Sequence, residues 1–199
     1  MKKSFNYFTL SIFDNCNFEQ FLSTVNLIKK PELENNMFKI QNTGPCIDDF
    51  FNPRSGGAHF PIFCFWENNL YPNKVFFISN YEDGLYTLCN VIHRNIKGNM
   101  IMCSLSNEQN RENPSCQFHY SDSNCVERHI LAYKEDKWVF HQEGVPLSIE
   151  NIENYNRKLI KQRLNNSIIE EYLGRLGIDL WNVFDPIGKC LTYIQKAWP

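Results

Sequence analysis

The chain has 199 residues and 23.6 kDa, with 43% hydrophobic and 21% charged residues, a balance that indicates neither disorder nor a fibrous repeat and suits one domain with its own core. Net charge is −2, with nine basic against nine acidic residues up to Met100 and eleven against thirteen beyond it. There is no polarised half, and a strongly basic nucleic-acid binder is excluded. The longest apolar run is about seven residues, far below the roughly 20 that cross a bilayer.

Phe5 to Phe13 is rich in aromatic and branched residues and reads as a strand. Asn17 then caps a helix whose apolar Phe18, Phe21, Leu22, Val25 and Ile28 share one face, and Pro31 is expected to end it. Met37 to Ile40 reads as a short strand. The segment NTGPCIDDFFNPRSGGAHF, Asn42 to Phe60, carries three turn signals in Gly44-Pro45, Asn52-Pro53 and Gly56-Gly57, so it is a loop. Strands resume at Phe60 to Trp66 and Lys74 to Ser79, a turn at Glu82-Asp83-Gly84 leads into a helix over Leu85 to Asn95, and Asn99 to Leu105 is a buried strand. Three more strands come next at Cys116 to Tyr120, Val126 to Tyr133 and Lys137 to His141, the last two joined as a hairpin through Lys134-Glu135-Asp136.

Beyond Gly144 the pattern turns helical. Ser148 caps a helix with Ile149, Ile152, Tyr155, Leu159, Ile160 and Leu164 along one stripe. Ser167 and Glu170 form a capping box for a second helix that closes at Gly177, and Pro186 and Gly188 break the chain beyond it. The expected fold is therefore α+β: a single domain over residues 1–199, with a largely antiparallel sheet packed with helices and two C-terminal helices. Residues 146–199 could form a helical subdomain.

The eight cysteines, at 16, 46, 64, 89, 103, 116, 125 and 190, follow no secretory signal, include no Cys-x-x-Cys pair, and in several cases sit inside apolar runs. They read as reduced thiols of a cytoplasmic protein.

Three constellations contain the residue types that chemistry needs. Cys46 with His59 and Asp48 or Asp49 supplies nucleophile, base and acid, the set for a cysteine-dependent hydrolase or transferase. No nucleophile signature surrounds Cys46, and metal binding through Asp48, Asp49 and His59 ranks no higher, because adjacent carboxylates on extended chain point apart. The same loop also serves as an acidic recognition surface, with Phe50 and Phe51 either anchoring it or offered to a partner. The second constellation is Arg157, Lys158, Lys161 and Arg163, a basic helix for a nucleic-acid-binding module, weighed against a solvated face paired with nearby glutamates. The third is His119, Glu127, Arg128, His129 and His141, where alternation puts Glu127 and His129 on one face; its plain alternative is a solvent-facing sheet with cross-strand charge pairs. No cofactor or metal motif is present, and catalysis has the smaller claim on these residues.

From Glu127 to Asp179 the chain resembles the C-terminal part of small bacterial immunity proteins encoded beside polymorphic or contact-dependent growth-inhibition toxins. The resemblance rests on the Trp-bearing hairpin Lys134 to Phe140, the Gly-x-Pro-Leu step Gly144 to Leu147, and the Lys/Arg-x-Arg-Leu-like segment ending at Leu164. It implies a cytoplasmic protein without enzymatic activity that binds a toxin C-terminal domain, often a nuclease, and covers its working surface. The resemblance transfers no specific contact residue; the chain's own acidic loop and turn make Asp48, Asp49, Phe50, Glu82 and Asp83 the expected contacts with the cognate toxin, with no cofactor, no metal and no membrane, and with nucleic acid disfavoured.

Overall fold

The structure is a computed structural model that describes residues 5–42, 50–54, 58–109, 111–185 and 188–198. Strand β1 (Tyr7–Asp14) is buried along nearly its whole length because it lies mid-sheet with both faces covered. Phe8, Leu10 and Ile12 enter one apolar layer and Phe13 the other. β1 pairs antiparallel with β4 (Lys74–Ser79) on one side and β5 (Asn99–Ser106) on the other. The remaining strands are β2 (Phe38–Gln41), β3 (Ile62–Glu67), β6 (Ser115–Ser121), β7 (Glu127–Lys134), β8 (Trp138–Glu143) and β9 (Cys190–Gln195). All pair antiparallel, in the order β2-β9-β3-β4-β1-β5-β6-β7-β8. The α+β fold with an antiparallel sheet packed by helices is thus as the sequence indicates.

Four α-helices lie among the described residues. α1 (Phe18–Ile28) is capped by Asn17, whose side chain accepts from the Gln20 N–H. It packs Phe18, Phe21 and Val25 beside α3 (Tyr86–Ile96) over the β1, β3, β4 and β5 side chains Phe13, Phe65, Phe77 and Met102. Pro31 does not end α1. It stands in the first turn of α2 (Lys30–Glu34), where its missing N–H would have had no helical partner. On the other face α4 (Asn166–Arg175) buries Ile168, Ile169, Tyr172 and Leu173 against Phe8, Cys116, Phe118 and Ile130.

Two expectations fail near the C-terminus. The helix expected from Ser148 to Leu164 is instead two 3-10 turns, Ile152–Asn156 and Ile160–Gln162, separated by extended chain at Arg157. Its supposed stripe is not a stripe, because Ile152 and Leu159 are 57% and 52% exposed while only Tyr155 and Leu164 are buried. Of the two expected C-terminal helices, then, one is an α-helix. The second failure is β9, expected to be broken chain after Gly188. It is a strand inside the sheet, between β2 and β3.

Candidate functional site

An antiparallel sheet can leave part of one face to solvent, and this one does so along β7 and β8, with the same face of β6 only half-open. Side chains alternate along β7: Arg128, Ile130 and Ala132 are buried toward α4, while Glu127, His129, Leu131 and Tyr133 point to the opposite side and are exposed or half-buried. Register aligns the neighbours. His129 sits opposite His119 on β6 and Glu143 on β8, and Leu131 lies opposite Gln117 and His141. Because directly opposed residues share a face, this side carries a row of three histidines. Ring centroids are 5.7 Å apart from His119 to His129 and 6.3 Å from His129 to His141.

The row ends against the start of α3. Gly84 and Leu85 both take left-handed backbone, with φ of 65° and 57°, and this tight entry is held by the Asp83 carboxylate accepting from the Leu85 N–H at 3.0 Å. A Cβ at Gly84 would lie 2.5 Å from Thr9 Cγ2, so glycine lets the turn rest directly on β1. That brings Tyr86 over His119, with centroids 5.5 Å apart. Asp83, Tyr86, Met102, Gln117, His119, Glu127, His129 and Glu143 then enclose a cleft of about 470 Å³.

Its electrostatics follow from burial. Desolvation holds the His119 ring below its ordinary value against the attraction of Glu127, with His129 and His93 adding to the lowering. Burial likewise depresses His129, and His141 adds to it while Glu143 and Glu127 oppose. Both rings are therefore neutral near pH 7. Asp83, Glu127 and Glu143 supply the formal charge of the lining, and no lysine or arginine among the described residues lines it. Glu127 and Glu143 are 51% and 79% exposed, at 3.8 Å from His119 Nε2 and 3.9 Å from His141 Nε2 respectively. His119 Nδ1 and His129 Nε2 are buried without a hydrogen-bond partner among the described residues. No group of three or more His, Cys, Asp or Glu among the described residues is placed to hold a metal ion.

The opposite face of β7 builds a buried polar latch. The Arg128 guanidinium donates to both Glu150 carboxylate oxygens, at 2.9 Å from Nε and 2.7 Å from Nη2, to the backbone oxygens of Glu143 and Gly144, and to Gln142 Oε1. Glu150 also accepts from the Leu147 N–H at 2.8 Å and from the Tyr155 hydroxyl at 2.7 Å. Burial is the largest single influence on Arg128 and opposes its charge, but the hydrogen bonds and charge attraction of Glu150, with those of Tyr155, together raise its pKa. The Gly-x-Pro-Leu step is thereby tied to the sheet, and a Cβ at Gly144, whose φ is 82°, would lie 2.2 Å from the Glu127 oxygen.

The third constellation is thus divided by the structure: His119, Glu127 and His129 join the cleft, His141 extends the row, and Arg128 belongs to the latch. Of the expected partner contacts, Asp83 lines the cleft. Glu82 pairs with Arg111 at 2.8 Å. Phe50 is buried with Phe8 and Phe184 in the core, so of its two proposed roles it takes anchoring, and it presents no surface to a partner. Asp48 and Asp49 lie outside the described residues, as does Cys46, so of the Cys46/His59/Asp49 set only His59 is described. That ring stacks on Tyr81 at 4.0 Å, and its backbone oxygen accepts from the Tyr81 hydroxyl.

The basic helix of the second constellation does not form. Arg163 Nε donates to the Arg157 carbonyl at 2.8 Å and its guanidinium lies 5.6 Å from the Phe140 ring centre, so these cations share no helical face. Sequence reasoning misses Glu143, Tyr86 and Gln117. Continuing the alternation of the hairpin two residues past His141 would find Glu143 opposite His129; nothing local announces Tyr86.

No family model, curated protein or solved structure matches this chain. No helix among the described residues is long and apolar enough to cross a membrane.

Proposed function

We propose that this chain is an immunity-type protein that binds a cognate toxin domain and neutralises it by occlusion, using the open half of its sheet. One observation carries the reading: the sheet surface that no helix covers among the described residues holds a cleft lined by Asp83, Glu127 and Glu143 beside neutral histidines. An acidic recess of this kind complements the basic surface of a nuclease toxin, steers its approach and selects against acidic partners. The resemblance of the β7–β8 hairpin and the step after it to immunity proteins supports the same reading, since the two strands of this hairpin contribute Glu127, His129 and Glu143 to the cleft. The partner on this reading is a protein in the cytoplasm, and nucleic acid is disfavoured by the sign of the charge.

The experiment is titration of the purified chain with the product of the adjacent gene. A stable complex is expected, with an association rate that Glu127→Lys together with Glu143→Lys lowers roughly tenfold or more at low ionic strength and much less at high salt. Both side chains are exposed, so the variant keeps its fold. No complex, together with a gene neighbourhood lacking a toxin, would overturn the proposal.

A further inference from the structure

Two thiols meet where the last strand enters the sheet. In the β3–β9 ladder Cys64 lies opposite Thr192 and Trp66 opposite Cys190, so both cysteines face the α4 side. Their sulfurs are 3.2 Å apart and hydrogen-bonded. A disulfide requires about 2.05 Å, so the two sulfurs need to close by roughly 1 Å for the bond to form.

We propose that Cys64 and Cys190 are a redox modification site, closing to a reversible intramolecular disulfide that fastens β9 to β3 when the protein meets hydrogen peroxide. Exposure separates the two roles, since Cys190 is partly exposed and within reach of a small oxidant while Cys64 is buried. The hydrogen bond from Cys64 holds the Cys190 thiol below its ordinary value, and burial pushes Cys64 up, so Cys190 is the attacking thiol and Cys64 the resolving one. The other buried cysteines make poor competitors. Burial pushes Cys16 up to about 11 and Cys89, Cys103 and Cys116 up to about 12, and their hydrogen bonds go to oxygen atoms.

The chemistry balances as a two-electron oxidation. The Cys190 thiolate attacks one peroxide oxygen, the O–O bond breaks, and the departing hydroxide takes a proton to become water, leaving a sulfenic acid on Cys190. Cys64 gives up its proton and attacks the sulfenic sulfur, the S–O bond breaks, and a second water leaves as the S–S bond forms. Two thiols have lost two hydrogen atoms and one peroxide has become two waters; a small dithiol reverses the bond by exchange.

The test uses the reduced, full-length protein treated with a few equivalents of hydrogen peroxide, alkylated, and mapped without reduction. The expected result is loss of two hydrogen atoms, a single linked peptide pair joining Cys64 to Cys190, reversal by dithiothreitol, and a melting midpoint raised by roughly 5–10 °C. In Cys64→Ser, the sulfenic acid should persist on Cys190 and react with dimedone. Sulfinic acid on Cys190 with Cys64 still open to alkylation in the unfolded chain, a link between other cysteines, or unchanged thiol content in the wild type would each overturn the proposal. The wild-type map decides even if the serine variant fails to fold.

Discussion

Arg128 and His129 are chain neighbours that leave β7 on opposite sides, and the two sides treat charge differently. Arg128 stays charged because Glu150, 22 residues later, accepts its hydrogen bonds inside the core. Arg128→Met would strand the Glu150 carboxylate without its cation, and removing one partner of a buried pair costs about 3–5 kcal/mol. Urea unfolding should show a loss of that size, whereas Arg128→Met with Glu150→Met should lose much less than the sum of the single variants; additive losses would show that the pair is not coupled. His129 and His119 stay neutral because burial disfavours their charged forms. Both are depressed from the ordinary value of 6.5, so the unfolded chain binds more protons than the folded one just below that pH. Their contribution is therefore fully present above pH 6.5, falls as the pH drops through it, and levels off below the depressed values. Stability measured between pH 7.5 and 5 should fall less steeply in His119→Gln, and an unchanged slope would sink the assignment. Alternation along β7 makes Glu127 and His129 readable as one face, yet nothing in a strand's period could announce Glu150.

Elements are legible in the sequence wherever local chemistry and tertiary packing agree. Lys74–Ser79 is a strand as its residues suggest, and Asn17 caps α1, because its side chain needs only the N–H groups of the next turn. At α4 the sequence points to Ser167, but the cap is Asn165, whose side chain accepts from the Ile168 N–H at 3.1 Å. Both residues are good cap formers, and the sequence Asn165-Asn166-Ser167 offers three adjacent starts. The two assignments predict different outcomes: Asn165→Ala should cost about 1 kcal/mol, and Ser167→Ala, inside the first turn, should stay within about 0.5 kcal/mol. Thermal unfolding of the two variants side by side checks this, and the reverse order would restore the capping box. The segment from Ser148 to Leu164 misleads for a different reason. Its apolar spacing approximates a helix, but Glu150, buried within it, faces inward for polar partners, and the chain folds to deliver the Glu150 carboxylate to Arg128. A hydrophobic stripe cannot encode a core whose attachment point is an ion pair.

At the scale of the molecule the sheet depends on its last strand. β9 escapes a reading of the sequence because Pro186 and Gly188 precede a strand of six residues, and because its partners are remote: Phe38 pairs with Gln195, and Phe63 with Tyr193. Tyr193 is buried, stacking on Phe63 at 5.0 Å and lying 5.9 Å from Phe38. Without β9, β2 has no neighbour in the sheet, β3 presents a bare hydrogen-bonding edge, and the aromatic layer under α1 loses a ring from its centre. An exposed apolar edge of that kind invites pairing between chains. Deleting residues 190–199 should therefore abolish the cooperative unfolding transition and send the chain into aggregates, while deleting only 196–199 leaves every ladder intact and should preserve that transition. Soluble yield and far-ultraviolet melting of the two truncations distinguish the outcomes; a cooperative transition in the shorter chain would mean that β2 and β9 are an accessory flap on a self-sufficient sheet. The same remoteness means that this half of the sheet can close only after β9 has been made, so folding waits on long-range contacts such as Phe38 with Gln195.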